Sequence, residues 1–257
     1  MVSGVSLEVI LMRHNQSEAN RLGIIQGQSD PPPADGNEDK VYTVAVQLFQ
    51  EARPIDAVYT SDLKRAKDHA RLIADYLRVH YPRLHTGHRV DYFENELLRE
   101  RARGPLEGAR YRVSNNGLTI AFKEGLSFPD GQNTKTFSEF ETIDQYLYSL
   151  DDPNLGEDRA AIAERIATFR ERYLRPYERR GGKLLIMGHS HWINHARNFL
   201  VDSGNVVSRP YEPLDNLATF RLAKSSLRSP YRDLNGQYTV NPTVNPQENR
   251  EVASSGR

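Results

Sequence analysis

Two segments of this sequence join an apolar run directly to a histidine. One run covers residues 9–12 and is followed at once by Arg13-His14, and the other covers residues 184–187 and is followed by Gly188-His189. Arginine binds oxyanions through two or more N–H donors of its planar guanidinium group, and a neutral imidazole can act as a nucleophile. The residue types therefore indicate an anion-binding site with a nucleophile, although two solvated residues at a strand end would give the same pattern.

Arg65 and Glu100 supply further groups that such a site needs. Arg65 follows a predicted buried strand and the N-cap signal Thr60-Ser61-Asp62, which puts it in the first turn of the next helix. Glu100 lies in a charge-dense loop framed by glycine, and its carboxyl group is a candidate general acid. The alternative interpretations are a surface pair of Arg65 with Asp62 or Asp68, and a solvated, self-paired loop.

The remaining pattern is one of short apolar runs alternating with amphipathic segments. Strands are predicted at residues 9–12, 55–59, 90–93, 183–188 and 217–222, helices at 41–52, 63–79, 137–150, 159–177 and 191–200, and a short helix or turn at 16–25. This alternation predicts an α/β fold, a three-layer α/β/α sandwich around a mainly parallel central sheet. Ligands bind at the C-terminal edge of such sheets, so both histidines and both arginines should converge there.

The chain divides into one domain and a tail. We predict a domain over residues 1–224 and a flexible C-terminal tail over residues 225–257, where three prolines and few apolar residues occur. Within the domain, the polar segment at about residues 109–155 is predicted to be a helical insertion over the active-site edge. A lid or a substrate-specificity segment would lie there.

Composition excludes several classes of function. The chain has 257 residues with Lys+Arg and Asp+Glu balanced at 34 each, so no overall basic field attracts nucleic acid or an anionic membrane. It contains no cysteine, which excludes thiolate metal sites and cysteine nucleophiles. Its longest aliphatic runs are too short to cross a bilayer, and no signal peptide is evident. We therefore expect a cytoplasmic protein without a nucleic-acid or membrane partner.

The motifs occur in the order found in the histidine phosphatase superfamily, and the chain resembles the phosphoglycerate mutase-like branch of that family across about residues 7–220. The segments that carry the resemblance are Arg13-His14-Asn15 with Asn20, the loop at 26–30, Ser61 with Arg65, Leu98-Arg99-Glu100 with Gly104 and Glu107-Gly108, Gly156-Glu157-Asp158, and Gly188-His189. Each motif is weak alone, but their order is specific. The resemblance implies a phosphoglycerate mutase-like sandwich.

The resemblance also implies a role for each charged residue. His14 would attack the phosphoryl group and carry it as a phosphohistidine, while Arg13, Arg65 and His189 would neutralise its oxygens. Glu100 would protonate the leaving oxygen and then help to activate water. The implied phosphate-binding set also includes Asn15, Asn20, Gln26, Gly27 and Ser190. No metal and no other cofactor would be needed.

The sequence departs from the family pattern at two positions. Asn15 replaces the glycine that usually follows the nucleophile, and Ser190 replaces the glycine that often follows the second histidine. Asparagine tolerates positive φ better than other non-glycine residues, and its amide could donate to phosphate. Ser190 is small and could cap the following helix. Since the charged groups are complete, we predict an active enzyme.

The predicted activity is hydrolysis of a small phosphorylated metabolite. Mutases of this family carry an Arg-Arg-Ser-Tyr-Asp-like stretch for a second phosphate, whereas this chain has only Arg110-Tyr111-Arg112. A mutase-type phosphotransferase therefore ranks second. The alternative from another class is a catalytically silent member that binds a phosphorylated ligand or a protein, with Asn15 and Ser190 as marks of decay.

Two further groups of residues have competing interpretations. Four arginines at positions 101, 103, 110 and 112 would either select a strongly anionic substrate or pair with Glu96, Glu100 and Glu107, and we favour pairing. His191 and His195 have the i,i+4 spacing of metal ligands. No nearby Asp, Glu or Cys completes a ligand shell, so no metal site is predicted.

Overall fold

The structure is a computed structural model that describes residues 6–84, 87–202, 214–225 and 229–234. Its strands are β1 (Leu7–Arg13), β2 (Ala57–Thr60), β3 (Asp91–Glu94), β4 (Arg110–Ser114), β5 (Gly117–Ala121), β6 (Thr134–Phe137), β7 (Gly182–Gly188), β8 (Thr219–Lys224) and β9 (Arg232–Asp233). Its α-helices are α1 (Glu18–Arg21), α2 (Glu38–Phe49), α3 (Lys64–Leu84), α4 (Ile143–Ser149), α5 (Arg159–Phe169), α6 (Arg175–Arg180) and α7 (Ser190–Val201).

A central sheet brings the predicted strand ends together. Its strand order is β3-β2-β7-β1-β8-β9. The first four strands run parallel to one another, while β8 pairs antiparallel with β1 and β9 antiparallel with β8. Parallel neighbours need long crossover connections, which the helices supply. The prediction of an α/β fold with a mainly parallel sheet is confirmed.

The side chains of β1 show why helices cover both faces of this sheet. Val9 and Leu11 belong to an apolar cluster with residues of α5, α6 and α7. Ile10 and Met12 belong to a second cluster with residues of α2 and α3. Successive strand residues point to opposite faces, so the uninterrupted apolar run at residues 9–12 needs a cover on each side. The result is the three-layer sandwich that the sequence predicts.

The insertion at residues 109–155 is mixed β and α rather than helical. Strands β4, β5 and β6 form a separate antiparallel sheet in that order. Leu118 and Ile120 are fully buried whereas Thr119 between them is not, which is the alternation of a half-covered strand. Helix α4 starts at 143 instead of 137 because Thr142 and Gln145 form a capping box there.

The long helix predicted at residues 159–177 contains a change of winding. Helix α5 passes through a π-helical turn at Arg170–Leu174 into α6. Pro176 lies in the first turn of α6, and proline has no N–H to donate to the preceding turn. The wider turn before Pro176 therefore lets the helical path continue to Arg180.

The C-terminal segment predicted as a tail is ordered at residues 231–234. Tyr231 is 2% exposed, and its hydroxyl donates to Glu178 Oε1 at 2.9 Å. Strand β9 follows directly and pairs with β8. The domain therefore extends past its predicted end at 224, and residues 226–228 and 235–257 lie outside the described residues. Within the described ranges, the longest helices lack the sustained apolar character needed to cross a membrane.

Candidate active site

The ends of β1 and β7 hold the two predicted histidines close together. The His14 N–H donates to the Gly188 carbonyl at 3.0 Å, and the Arg13 N–H donates to the Ala218 carbonyl at 3.0 Å. The rings of His14 and His189 lie with centroids 5.0 Å apart at an angle of 64°. The backbone hydrogen bond to Gly188, the residue before His189, therefore holds His14 at the end of β7 beside the second histidine.

A cavity opens between these strand ends and the insertion. Eight predicted site residues line it: Arg13, His14, Asn20, Gln26, Arg65, Glu100, His189 and Ser190. Further lining residues include Arg103, Tyr111, Ile143, Asp144, Leu147 and His191. The cavity encloses about 70 Å³. A buried water needs roughly 10–15 Å³ on the same scale, so the space suits a phosphoryl group with a small leaving group.

The surroundings of His14 favour a neutral nucleophilic ring. His14 is 3% exposed, and its Nδ1 contacts the backbone carbonyl of Asn15. A carbonyl oxygen can only accept, so Nδ1 carries the proton and the lone pair remains on Nε2. Burial holds the pKa of His14 well below its usual value, and the charges of Arg65 and Arg13 reinforce that shift. Nε2 therefore has a free lone pair at neutral pH, which makes nucleophilic attack by this atom chemically feasible.

His189 is a second buried imidazole with unmet hydrogen bonds. It is 1% exposed, and neither of its ring nitrogens has a partner among the described residues. Burial and then the positive charge of Arg65 hold the pKa of His189 well below its usual value. Buried polar atoms are normally satisfied, so these nitrogens mark a place for a ligand oxygen.

The two predicted arginines are anchored through backbone carbonyls. Arg65 is fully buried, and its Nη1 and Nη2 donate to the carbonyls of Ser29 and Gly27, both at 2.7 Å. Arg13 Nη1 contacts the Leu214 carbonyl. The Nε atoms of both arginines are buried without a partner among the described residues. Burial lowers the pKa of Arg65 to about 10, so the group remains cationic at neutral pH.

Gly27 shapes the site without lining it. Its carbonyl holds Arg65, and a Cβ at this position would lie 2.4 Å from Glu107 Oε1 and 2.9 Å from Arg103 Cγ. The close approach of the loop to its neighbours therefore requires glycine. Gly27 acts by positioning Arg65, instead of lining the phosphate site as expected.

Glu100 is an ionised carboxylate in this environment. Its Oε1 accepts from the backbone N–H groups of Arg101 at 2.8 Å and Trp192 at 3.2 Å, and its Oε2 lies 3.5 Å from His191 Nδ1. Burial raises the pKa of Glu100, but the hydrogen bond and charge of His191, with Arg103 and His189, outweigh burial and hold that pKa well below its usual value. Glu100 is therefore deprotonated in the free protein at neutral pH.

Asn15 contributes through its backbone instead of its side chain. Its amide donates to the Asn37 carbonyl at 3.2 Å, and its Oδ1 accepts from the Gln16 N–H at 2.8 Å. Among the described non-glycine residues, positive φ occurs at Leu217 alone, so the turn at Asn15 does not need glycine. The expected side-chain contact with phosphate is therefore corrected: the Asn15 carbonyl sets the tautomer of His14.

Ser17 organises two of the predicted phosphate-binding amides. Its hydroxyl donates to Asn20 Oδ1 at 2.8 Å and accepts from Gln26 Nε2 at 2.8 Å. Ser17 is fully buried and forms a capping box with Asn20 at the start of α1. Sequence reasoning missed Ser17, although serine three residues before an amide or a carboxylate is a cap signal.

The second departure from the family pattern lies inside the helix that it was expected to cap. His189 is the N-cap of α7, and Ser190 is the first helical residue. Ser190 lines the cavity, and its carbonyl accepts from the Asn194 amide at 3.0 Å. Ser190 is 3% exposed, so it is buried at the point where α7 begins against the cavity.

The expected pairing of the loop arginines is not seen in the described ranges. No ion pair joins the arginines at 101, 103, 110 and 112 to Glu96, Glu100 or Glu107. Arg110 and Arg112 are exposed on β4, whereas Arg101 and Arg103 are buried. Arg103 and His191 line the cavity, and sequence reasoning assigned neither of them to the site.

The histidines near α7 have neighbours other than a metal-ligand set. His191 Nε2 lies 3.1 Å from the Asp144 carbonyl, and the His195 ring stacks on Tyr148 at 4.8 Å. Within the ranges that the structure describes, no group of three or more His, Asp or Glu side chains has a metal-binding arrangement.

Comparisons with known proteins agree with this geometry. The sequence profile of the histidine phosphatase superfamily (branch 1) matches residues 9–216. A metal-independent phosphoserine phosphatase of Arabidopsis thaliana is 43% identical over 67 residues, which are 26% of this chain and only 28% of that relative. A 2,3-bisphosphoglycerate-dependent phosphoglycerate mutase of Parvibaculum lavamentivorans is 25% identical over 181 residues, which are 70% of this chain and 73% of the mutase.

A solved structure extends the comparison to the fold. The phosphoglycerate mutase of Bacillus anthracis superposes with a TM-score of 0.59 and 16% sequence identity, and the match covers 91% of this chain and 93% of that one. At this identity the likeness concerns the fold alone.

Proposed function

This chain belongs to the histidine phosphatase superfamily, and from that premise we propose that it is a metal-independent phosphatase that hydrolyses a small phosphomonoester through a phosphohistidine on His14. One observation carries the proposal: a buried neutral imidazole shares a cavity with polar nitrogens that no described group satisfies. These nitrogens are the Nε atoms of Arg13 and Arg65 and both ring nitrogens of His189. A phosphoryl group would supply their missing acceptors.

In the first step, His14 Nε2 attacks phosphorus and the bond from phosphorus to the leaving oxygen breaks. Arg13, Arg65 and His189 stabilise the charge on the phosphoryl oxygens during this transfer. The leaving oxygen must take up a proton, for which Glu100 is the nearby carboxyl group. A bound phosphoryl dianion raises the pKa of a neighbouring carboxyl, so substrate binding itself favours the protonated form that can act as the acid.

In the second step, water attacks the phosphohistidine. Glu100 has then lost its proton to the leaving group and can accept one from the attacking water. The bond between nitrogen and phosphorus breaks, inorganic phosphate leaves, and His14 returns to its neutral state. The Asn15 carbonyl keeps the His14 proton on Nδ1 through both steps, which preserves Nε2 as the reacting atom.

The substrate in this proposal is a small phosphorylated metabolite in the cytoplasm. The cavity volume of about 70 Å³ supports a compact substrate. Mutase-type transfer is the second candidate, because the Parvibaculum mutase matches 70% of this chain. Hydrolysis is preferred because Arg110 and Arg112, which we considered for a second phosphate, are exposed and lie outside the cavity lining.

The proposal is tested by hydrolysis of an aryl phosphate in EDTA, with wild type beside His14→Ala. We expect turnover to survive chelation and kcat/KM to fall by at least about 10³-fold in His14→Ala, the scale for losing a nucleophile. The control is His88→Ala, which removes a half-buried histidine outside the cavity and should keep wild-type activity. Radiolabelled substrate followed by a denaturing quench should leave phosphohistidine on wild type and on His88→Ala but not on His14→Ala.

The alternatives give different results in the same assay. A mutase would need a bisphosphorylated primer and would return phosphate to its product. A silent binder would bind vanadate without turnover. Activity that is lost in EDTA, or that persists in His14→Ala, would contradict the phosphohistidine mechanism.

A further inference from the structure

Arg103 is a buried cation that the phosphoryl chemistry proposed above leaves unused. It follows Glu100 by three residues, is 2% exposed and lines the cavity. Its Nη1 donates to the carbonyl of Leu147 in α4 at 3.1 Å. Its Nε and Nη2 are buried and have no partner among the described residues.

These two nitrogens form one side of the planar guanidinium group. Two parallel N–H donors match the two oxygens of a carboxylate or of a phosphate, which is the bidentate geometry that arginine favours. A buried cation with unmet donors is costly unless a ligand supplies the acceptors. Burial lowers the pKa of Arg103 to about 10, so the side chain is cationic at neutral pH.

Arg101 shows that burial in this loop does not by itself leave an arginine unsatisfied. Arg101 is also 2% exposed, but its Nε contacts the Glu157 carbonyl and its Nη1 donates to the Leu147 carbonyl at 3.3 Å. It does not line the cavity, and none of its buried nitrogens lacks a partner. The difference between the two arginines is therefore access to the substrate space.

We propose that Arg103 binds a second anionic group of the substrate, so that the preferred substrates are phosphomonoesters whose leaving group carries an oxyanion. This inference rests on the proposed function, because it takes the phosphoryl group to lie at His14. The oxyanion is bound by the Nε and Nη2 side of the guanidinium group.

A carboxylate fits this second position better than a phosphate. Asp144 lines the same cavity, and Glu100 is ionised beside Arg103. Their negative charge opposes a dianionic phosphate more than a monoanionic carboxylate. We therefore expect a phosphomonoester of a hydroxy acid to be preferred.

The test compares three esters with the same three-carbon chain: propyl phosphate, 3-(phosphonooxy)propanoate and propane-1,3-diyl bisphosphate. For wild type we expect kcat/KM for the carboxylate ester to exceed that for propyl phosphate by about 10- to 100-fold, the scale of a charge-assisted hydrogen bond. Arg103→Met should abolish this ratio, and Arg103→Lys should retain part of it because lysine keeps the charge but not the fork.

The ratio is the informative readout because Arg103 also helps to hold the pKa of Glu100 low. A change at Glu100 alters the rates of all three esters together, whereas a lost contact with the second anion alters only two of them. The matched control is Arg112→Met, which removes an exposed arginine of β4 outside the cavity lining and should keep the wild-type ratio.

Each outcome bears on one proposal at a time. Equal kcat/KM for all three esters in wild type, or an equal loss for all three in Arg103→Met, would overturn the Arg103 site and leave the phosphatase proposal standing. A preference for the bisphosphate would keep the Arg103 site and overturn the carboxylate assignment. If no ester is hydrolysed, the phosphatase proposal fails, and calorimetric dissociation constants of the same three compounds still test Arg103.

Discussion

The two ends of the central parallel strands differ in whether their buried polar and charged side chains have partners within the protein. At the C-terminal end, nitrogens of Arg65, Arg103 and His189 have no partner among the described residues. Toward the other end, Lys183 on β7 contacts Glu51 and lies 3.7 Å from Glu8. Lys183 is 2% exposed, as Arg103 is, so burial does not distinguish the two regions. The distinguishing property is whether the protein itself supplies the partner.

The paired cluster also joins three neighbouring strands. Arg221 on β8 lies 3.0 Å from Glu8 on β1 and 2.9 Å from Glu51, and Glu51 in turn contacts Lys183 on β7. Removing one member would leave the charges of the others buried without a full set of opposite charges. This cluster therefore stabilises the sheet. The cavity instead keeps its donors available for a ligand, at a cost in stability.

The largest expected effect comes from substituting one residue at each end of the parallel strands, His189 at the C-terminal end and Lys183 toward the other end. His189→Ala should lower kcat/KM by about 10²- to 10³-fold, the scale of a lost charge-stabilising donor, and change the free energy of unfolding by less than about 1 kcal/mol. Lys183→Met should keep kcat/KM within about threefold of wild type and lower the free energy of unfolding by about 1–3 kcal/mol, because its carboxylate partners are only partly exposed. Steady-state kinetics and urea denaturation measure both. The contrast between the two ends is contradicted if both variants lose mainly kcat/KM, or if both lose mainly free energy of unfolding.

The free energy of unfolding should also depend on pH differently at the two ends, and this effect is smaller than the previous one. Burial lowers the pKa of His14 and of His189, so near and below pH 6.5 the unfolded chain binds protons that the folded chain does not. Their stabilising contribution is therefore complete above about pH 6.5 and is lost as the pH falls, by about 1 kcal/mol for each histidine between about pH 6.5 and 5.5.

His14→Gln should accordingly lose about 1 kcal/mol less than wild type over that interval, measured by urea unfolding in phosphate-free buffer. Lys183→Met is the control, because its cluster contains no histidine and the variant should keep the wild-type pH dependence. Equal slopes for wild type and His14→Gln would show that the ring is not held neutral by the fold.

The smallest effect is expected at Asn15. Asn15→Ala removes the amide contacts with Asn37 and Gln16 but keeps the carbonyl that orients His14. We expect the free energy of unfolding to fall by about 0.5–1 kcal/mol and kcat/KM to stay within about threefold. Chemical denaturation and kinetics check this pair of results. A collapse of kcat at unchanged stability would return the Asn15 side chain to the phosphate site.

The residues at strand ends are the part of the site that sequence alone predicts. Arg13, His14 and His189 each follow an apolar run, and the cap signal before Arg65 places it beside them. These placements depend on local pattern and on one rule about parallel sheets. The prediction of the fold class rests on the same alternation.

The remainder depends on contacts between distant segments. Arg101 and Arg103 stand two positions apart in one loop, and what separates them is access to a cavity that α4 helps to enclose. No local pattern encodes that difference. The strands of the insertion were missed for another reason: Leu118 and Ile120 alternate correctly, but glycine and polar residues surround them, and such short strands are difficult to recognise.

Helix α4 is tied to the rest of the molecule through main-chain oxygens. The Leu147 carbonyl accepts from both Arg101 and Arg103, and the Asp144 carbonyl lies 3.1 Å from His191 Nε2. A carbonyl is present whatever side chain a residue carries. A substitution of an α4 side chain therefore leaves these main-chain acceptors in place. The catalytic residues and the α4 side chains that line the cavity therefore lie on separate elements. Single substitutions in α4 can change the substrate preference while the catalytic residues stay the same.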